Sequence, residues 1–212
     1  DNYLLESKAK YPDRIKICSL YEEKPPILLE GVDGVKICAG RLADKDLKKL
    51  LPVFKEIEKA GKFLSIDLAD GDEQVEDMEY LIAQCPDLKI AIGHFGMVTT
   101  PGWQKQIALA KHKNVYIESG GLTWLFHKEF YPYPSAIDAI LEARDICGME
   151  KLMWGSDYPR TMTDITYIMA VRFIAESEKL TEAEKRAFLG ENAMKFYGFV
   201  EMTPMEEIPN ML

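Results

Sequence analysis

The alternation of strand-like and helix-like segments is the feature that most limits how this chain can fold. Short apolar runs bounded by turn residues predict strands, and apolar residues at helical spacing predict helices between them. The six predicted strands are residues 14–20, 34–38, 63–68, 89–93, 114–118 and 151–155. This order predicts right-handed βαβ units and a parallel sheet.

Two architectures fit such a sheet. One is an open, doubly wound sheet, and the other is a (β/α)8 barrel, normally about 250 residues long. About two β/α units of such a barrel would be missing from these 212 residues. Neither GxGxxG nor GxxxxGK[ST] follows a predicted strand, so the sequence carries no nucleotide-binding fingerprint of the open sheet. The length predicts one domain over residues 1–212.

Two predicted strands end in side chains that can do chemistry. The run Leu152–Gly155 leads through Ser156 to Asp157, and the run Lys89–Gly93 leads to His94. Catalytic groups of (β/α) barrels lie at the C-terminal ends of their strands, and His is the commonest metal ligand and general base. Asp157 and His94 are therefore candidates for a metal ligand or a catalytic base, although Asp157 could instead only cap the following helix.

Other polar residues near the predicted strand ends are candidates for substrate binding. Lys36, Glu118 and Arg160 could bind a carboxylated or hydroxylated substrate, or they could belong to structural ion pairs. Arg160 is the strongest candidate for binding an anion, because a guanidinium can hold a carboxylate through two hydrogen bonds. His127 is weaker since it lies away from a strand end, in the aromatic-rich stretch 124–133. That stretch could cover the pocket or form a homo-oligomer contact.

Net charge and cysteine spacing indicate which binding partners and which cellular compartment to expect. A formal net charge of -9 disfavours binding to nucleic acid or to anionic membranes, so a small-molecule substrate is the expected partner. The four cysteines are widely spaced without a CxxC pair, which is typical of reduced thiols in a cytoplasmic protein. The sequence contains no apolar run of membrane-spanning length.

Four motifs together resemble a known family. They are GHFG at 93–96, NVYIESGG at 114–121, MWGSDYP at 153–159 and ENAMKFYGF at 191–199. In this order and spacing they resemble the amidohydrolase-2 (amidohydrolase-related) family of metal-dependent TIM-barrel hydrolases. The resemblance is strongest over residues 60–199, and the run 63–96 looks most like the lactonase-like branch.

The resemblance implies a distorted barrel in which a divalent metal, usually zinc, activates a water molecule. Asp157 matches the family's metal-binding or basic Asp, and His94 matches a His that contacts metal or substrate. Asp67 stands where many members have a metal-binding His. A carboxylate can also ligate zinc, but this replacement favours a single metal ion that is weakly held, or no metal. The family's first-strand His-x-His pair is not in this sequence. By count the six strands match barrel strands three to eight, so we expect the first two units to precede Asp1.

Three functions follow as hypotheses. The first is a metal-dependent hydrolase that acts on a small lactone, ester or amide, and the second is a decarboxylase of the same family. The third is a catalytically inactive, truncated barrel with a binding or oligomerisation role, which the missing His-x-His pair supports. Such a barrel would expose strand edges, and proteins normally pair or cover these.

Overall fold

A six-stranded parallel sheet forms the centre of the fold. The computed structural model describes residues 2–24, 26–27 and 29–204. Strand order in the sheet follows strand order in the sequence. The strands are β1 (Cys18–Leu20), β2 (Gly34–Cys38), β3 (Phe63–Asp67), β4 (Ile90–Ile92), β5 (Val115–Glu118) and β6 (Leu152–Met153). Each strand lies within a predicted segment, so the strand prediction is confirmed.

In the described chain one helix precedes the first strand, helices lie between the strands from β2 onward, and three helices follow the last strand. Their bounds are α1 (Asn2–Lys10), α2 (Leu51–Lys59), α3 (Val75–Gln84), α4 (Trp103–Ala108), α5 (Leu122–Phe126), α6 (Pro134–Cys147), α7 (Tyr167–Ala175), α8 (Glu182–Arg186) and α9 (Asn192–Tyr197). Among the described residues, no helix is both long and apolar enough to cross a bilayer.

The two faces of the sheet differ in polarity because successive side chains of a strand point to opposite faces. One face packs against the helices through side chains with no exposed surface, among them Val35, Ile37, Leu64, Ile66, Ile90, Ile92, Val115, Ile117 and Leu152. Burial of one such aliphatic side chain contributes about 1.5–3 kcal/mol. The alternate positions of β2, β3 and β5 include Lys36, Asp67 and Glu118. These polar residues therefore share the opposite, interior face.

The strand order decides between the two predicted architectures. A doubly wound sheet reverses its order at a switch point, whereas this sheet runs from β1 to β6 without a reversal. The fold is therefore of the (β/α)8-barrel type, with six strands in the described part of the chain. Within that part, β1 and β6 are the two edges of the sheet.

Aromatic side chains fill the interior of the sheet at the N-terminal ends of the strands. The rings of Phe196 and Tyr197, from α9, lie 5.9 Å and 5.0 Å from the ring of Phe63. Ala91 and Met153 complete this buried cluster. Since this end is packed with rings, the polar interior residues face the C-terminal end of the strands.

The cysteines are free thiols in the described structure. Burial raises the pKa of Cys18 and of Cys147 to about 11. Only a small fraction of a thiol with such a pKa is ionised at neutral pH, and the thiolate is the reactive form. These two side chains are therefore poor candidates for a nucleophile.

Candidate active site

A cavity of about 860 Å³ lies at the C-terminal ends of the strands. Strand residues Lys36, Asp67 and Glu118 line it, and the loops after β4 and β6 contribute His94 and Asp157. Its volume is within the range of about 300–1,000 Å³ that is usual for small-molecule sites. Arg160 lines it as well. The structure thus brings six of the seven predicted site residues to one cavity, all but His127.

Asp67 links Lys36 and His94 on one side of the cavity. Its Oδ1 atom lies 2.5 Å from Lys36 Nζ and 3.3 Å from His94 Nδ1. The hydrogen bond to Asp67 is the main cause that raises the pKa of His94 above its ordinary value. Burial opposes ionisation of Asp67, but the hydrogen bond from His94 and the charge of Lys36 outweigh it and lower the pKa of Asp67. Asp67 therefore orients the imidazole and favours its protonated form.

The other ring nitrogen of His94 faces Asp157. His94 Nε2 lies 4.0 Å from Asp157 Oδ1, which is too long for a direct hydrogen bond. A water molecule can bridge two polar groups that are too far apart for a direct hydrogen bond. The pair therefore offers a position for a water molecule or a substrate oxygen between an acid and a base.

Unusual backbone conformations present both of these side chains. His94 has φ 56° and Asp157 has φ 50°, in the left-handed region that non-glycine residues rarely adopt. His94 opens a run of four such residues that ends at Met97. Residues in this region cost of order 1–3 kcal/mol each and cluster at functional sites. The surrounding fold therefore stabilises an unfavourable turn that carries His94.

Glu118 places a largely buried carboxyl group on the cavity wall. Burial is the main cause that raises its pKa to about 7, although the charge of Lys36 and the hydrogen bond from the Gly120 N–H act in the opposite direction. The Gly120 nitrogen lies 2.8 Å from Glu118 Oε1. Near neutral pH this carboxyl group therefore exists in both protonation states.

Two glycines provide the space that the interior carboxylates occupy. A methyl group on Gly93 would overlap the carboxylate of Asp67, and one on Gly155 would overlap the carboxylate of Glu118. The Gly155 N–H donates to Ser119 Oγ at 3.1 Å, which holds the backbone beside Glu118. Only glycine therefore leaves room at both positions for the neighbouring carboxylate.

Gly155→Ala is expected to lower the free energy of unfolding by about 1–3 kcal/mol, because added methyl groups in packed sites cost about this much. The measurement is urea unfolding of the wild type and the variant. Gly190→Ala is the matched control, since a methyl group there meets no atom within 4 Å. In a Glu118→Ala background the cost of Gly155→Ala should largely disappear. An equal cost in both backgrounds would show that the overlap with Glu118 is not its cause.

Arg160 and His127 share a carboxylate outside the centre of the cavity. Arg160 lines the cavity and contacts Thr163 and Asp164. His127 Nε2 lies 3.9 Å from Asp164 Oδ1, and His127 is not part of the cavity wall. The structure therefore leaves Arg160 as a candidate for binding substrate and gives no support for a direct contact by His127.

The aromatic-rich stretch 124–133 does not cover the cavity with its described side chains. Phe130 is 93% exposed and Tyr133 is 2% exposed, and neither lines the cavity. The side chain of Trp124 lies outside the described part of the structure. A homo-oligomer contact by this stretch stays a prediction.

Several residues that line the cavity were not among the sequence-based candidates. They are Cys38, Arg41, Lys45, Asp70 and Glu73. All of them end or closely follow the two strands that carry Lys36 and Asp67. Cys38 is the last residue of its strand, and the signal that points to the other four is a charged side chain in the loop after a strand end. Charges of both signs on the cavity wall favour a polar substrate over an apolar one.

The three side chains predicted as metal ligands, Asp157, His94 and Asp67, do not converge on one point. Among the described residues, no group of three His, Cys, Asp or Glu side chains could hold a metal ion. His94 directs one ring nitrogen toward Asp67 and the other toward Asp157, and two nitrogens of one imidazole cannot bind the same ion. Lys36 supplies the positive charge beside Asp67. The described residues therefore do not fit the metal that the resemblance implies, and an ion would need further ligands.

The fold and the cavity at its strand ends define a (β/α)-barrel protein with an enzyme-like site. The family model Amidohydro_2, described as amidohydrolase, matches residues 30–199. The chain belongs to this amidohydrolase family, which confirms the family prediction. Comparison with curated proteins gave no match.

Solved structures share the fold at low sequence identity. An amidohydrolase of Burkholderia multivorans with bound zinc is 18% identical, with a TM-score of 0.74, over 93% of this chain and 78% of that chain. A candidate 2-pyrone-4,6-dicarboxylic acid hydrolase of Pseudomonas putida is 23% identical, with a TM-score of 0.72, over 93% and 77%. A 2,6-dihydroxybenzoate decarboxylase with its substrate bound is 16% identical, with a TM-score of 0.63, over 93% and 75%. These similarities confirm the barrel fold.

Proposed function

We propose that this protein hydrolyses a small lactone, or a related ester or amide, with water as the nucleophile. The observation that carries the proposal is the 4.0 Å separation of His94 Nε2 and Asp157 Oδ1 in the cavity. An acid and a base at this separation can hold one water molecule or one reacting oxygen between them. Membership in the amidohydrolase family supports hydrolysis. The Pseudomonas putida protein is named as a hydrolase of a 2-pyrone, which is a cyclic ester, and this supports a lactone as the substrate.

Asp157 and His94 divide the proton transfers of this reaction. Asp157 accepts a proton from the water as the water oxygen bonds to the carbonyl carbon. His94 donates its Nε2 proton to the leaving oxygen as the ring C–O bond breaks, and Asp67 keeps the imidazole in place. The raised pKa of His94 favours the protonated form that this role needs. The product of a lactone is then a hydroxy acid.

Arg160 and Glu118 are the proposed contacts for polar substituents of the substrate. Both line the cavity that holds His94 and Asp157. A guanidinium suits a carboxylate on the substrate, and a carboxyl group with a pKa of about 7 can accept or donate a hydrogen bond. The divalent metal of the family resemblance has no role in this proposal, because the described donors do not fit one.

The test is incubation with a panel of five- and six-membered lactones, with and without a carboxylate, together with open esters and amides. Mass spectrometry of the products separates the hypotheses. Addition of one water to a substrate supports the proposed function. Loss of carbon dioxide from a carboxylated substrate would favour the decarboxylase. No conversion of any compound, with self-association in solution, would favour the inactive barrel.

A further inference from the structure

The Lys36 ammonium is a cation built into the floor of the cavity. We propose that it acts as the electrophile of the site, which binds the substrate carbonyl oxygen and stabilises the negative charge that develops there. This inference rests on the proposed hydrolytic function, in which Asp157 and His94 move protons and no group has yet been assigned to the carbonyl oxygen.

The contacts of Lys36 hold its ammonium in place and leave capacity for a ligand. Nζ lies 2.5 Å from Asp67 Oδ1 and 3.3 Å from Ser65 Oγ. An ammonium group has three N–H donors, so these two contacts leave one for a group bound in the cavity. The Lys36 side chain is 29% exposed and lines the cavity. A fixed, partly buried cation of this kind interacts with a developing charge more strongly than a mobile surface lysine does.

The position of Lys36 distinguishes it from the other cations of the cavity wall. Lys36 lies on β2 itself, whereas Arg41 and Lys45 follow that strand and Arg160 lies in the loop after β6. Its neighbours on the wall include the carboxylates of Asp67, Glu118 and Asp157. An oxyanion formed beside these negative charges needs a positive partner. Lys36 can be that partner in place of a metal ion. This role also explains why the carboxylates of the site are not arranged as metal ligands.

The hydrolytic step balances with Lys36 in this role. As the water oxygen adds to the carbonyl carbon, the π electrons move to the carbonyl oxygen, which becomes an oxyanion bound by the Lys36 N–H. Asp157 holds the proton taken from the water. When the oxyanion reforms its C=O bond, the ring C–O bond breaks and the leaving oxygen takes the proton of His94. Lys36 keeps all three of its protons throughout.

Lys36→Met is the central variant, measured on a substrate that the wild type hydrolyses. We expect kcat to fall about 100-fold or more with little change in KM, because removal of one oxyanion donor costs about 10²–10³ in kcat. A cyclic phosphonate that mimics the tetrahedral intermediate should bind more weakly by a similar factor in calorimetry. Lys36→Arg should retain part of the activity. Lys179→Met, on an exposed ion pair, is the matched control.

An Asp67→Asn background separates a catalytic from a positioning role. If Lys36 only holds Asp67 in place, Lys36→Met should lower kcat no further in that background, and the proposal is overturned.

A chelator tests whether a metal is the electrophile instead. Activity that a chelator abolishes and zinc restores would assign the electrophile to a metal and would also overturn the proposal. A wild type that hydrolyses no compound removes the proposed function, and this inference falls with it. If the wild type is active and Lys36→Met is equally active, the proposed function stands and only this inference is overturned.

Discussion

Asp157→Asn is expected to lower kcat/KM for lactone hydrolysis by about 10²–10⁴-fold, the usual contribution of a positioned acid or base. The amide of Asn has nearly the same shape as the carboxylate but cannot accept the proton of the attacking water. His94 would keep its contact with Asp67, so binding and acid catalysis should persist. The loss should therefore appear mainly in kcat.

Asparagine is the informative replacement because of the backbone at this position. Asp157 has φ 50°, and Asn adopts this left-handed conformation more readily than most other residues. Asp157→Ala would combine the loss of the base with backbone strain, so its effect would be ambiguous. Unchanged thermal unfolding of Asp157→Asn would show that the turn is preserved.

The control is Asp138→Asn, which removes a carboxylate from an exposed ion pair. Such pairs contribute about 0–1 kcal/mol, so activity and stability should stay close to those of the wild type. Asp157→Asn with nearly full activity would remove Asp157 as the base. His94→Gln would then show whether His94 alone carries the proton transfers.

The strands and the strand-end residues could be predicted because their signals are local. Apolar runs that end in glycine or a polar residue mark where each strand stops, and parallel strands end at the same edge of a sheet. Lys36 and Glu118 were therefore found from the sequence, and the cavity contains both. Cys38 and Arg41 could not be predicted in this way, because Cys38 continues the apolar pattern of its strand and Arg41 lies in the loop beyond it.

The contacts within the site could not be predicted, because they depend on register and on strained turns. Lys36 pairs with Ser65 across the sheet, two positions before Asp67. The apolar alternation predicts which face each side chain is on, but it does not say which residues of two neighbouring strands lie side by side. His94 and Asp157 approach each other from backbones that both have positive φ, a conformation that their residue types do not demand. The metal expectation came from the resemblance, and the relative positions of the side chains disagree with it.

Glu118→Gln is expected to make the protein more stable at neutral and alkaline pH. Burial raises the pKa of Glu118 from the ordinary 4.5 to about 7 in the folded state. Folding therefore opposes ionisation of this group, and the wild type loses stability as the pH rises from about 4.5 to about 7. Gln carries no charge at any pH and can still accept the Gly120 N–H, so it avoids this loss.

The size of the effect follows from proton linkage. One pKa unit corresponds to about 1.4 kcal/mol, so a pKa raised from 4.5 to about 7 corresponds to about 3–4 kcal/mol at most. Because the carboxyl also faces the cavity, where water screens its charge, the expected gain at pH 8 is about 1–3 kcal/mol. At pH 4.5 the gain should shrink to about 0.4 kcal/mol.

Two other site residues make the stability of both the wild type and Glu118→Gln depend on pH. Their contributions to the free energy of unfolding cancel when the two proteins are compared. The raised pKa of His94 contributes stability below pH 6.5 that is lost as the pH rises through the folded-state pKa. The lowered pKa of Asp67 contributes stability above pH 3.8 that is lost as the pH falls through its folded-state pKa. The difference between Glu118→Gln and the wild type isolates Glu118 if those two pKa values stay unchanged.

The measurement is urea unfolding at intervals from pH 4.5 to pH 8, with Glu178→Gln as the control at an exposed carboxylate. The control should differ from the wild type only slightly, since substitutions of exposed side chains usually change stability by no more than about 0.5 kcal/mol. A gain for Glu118→Gln that grows with pH and levels off above pH 7 would show that this carboxyl titrates near neutrality. A constant difference would mean that the cavity hydrates Glu118 fully. It could then serve the substrate only as a permanent anion, and a carboxylated lactone would have to bind away from it, toward Arg160.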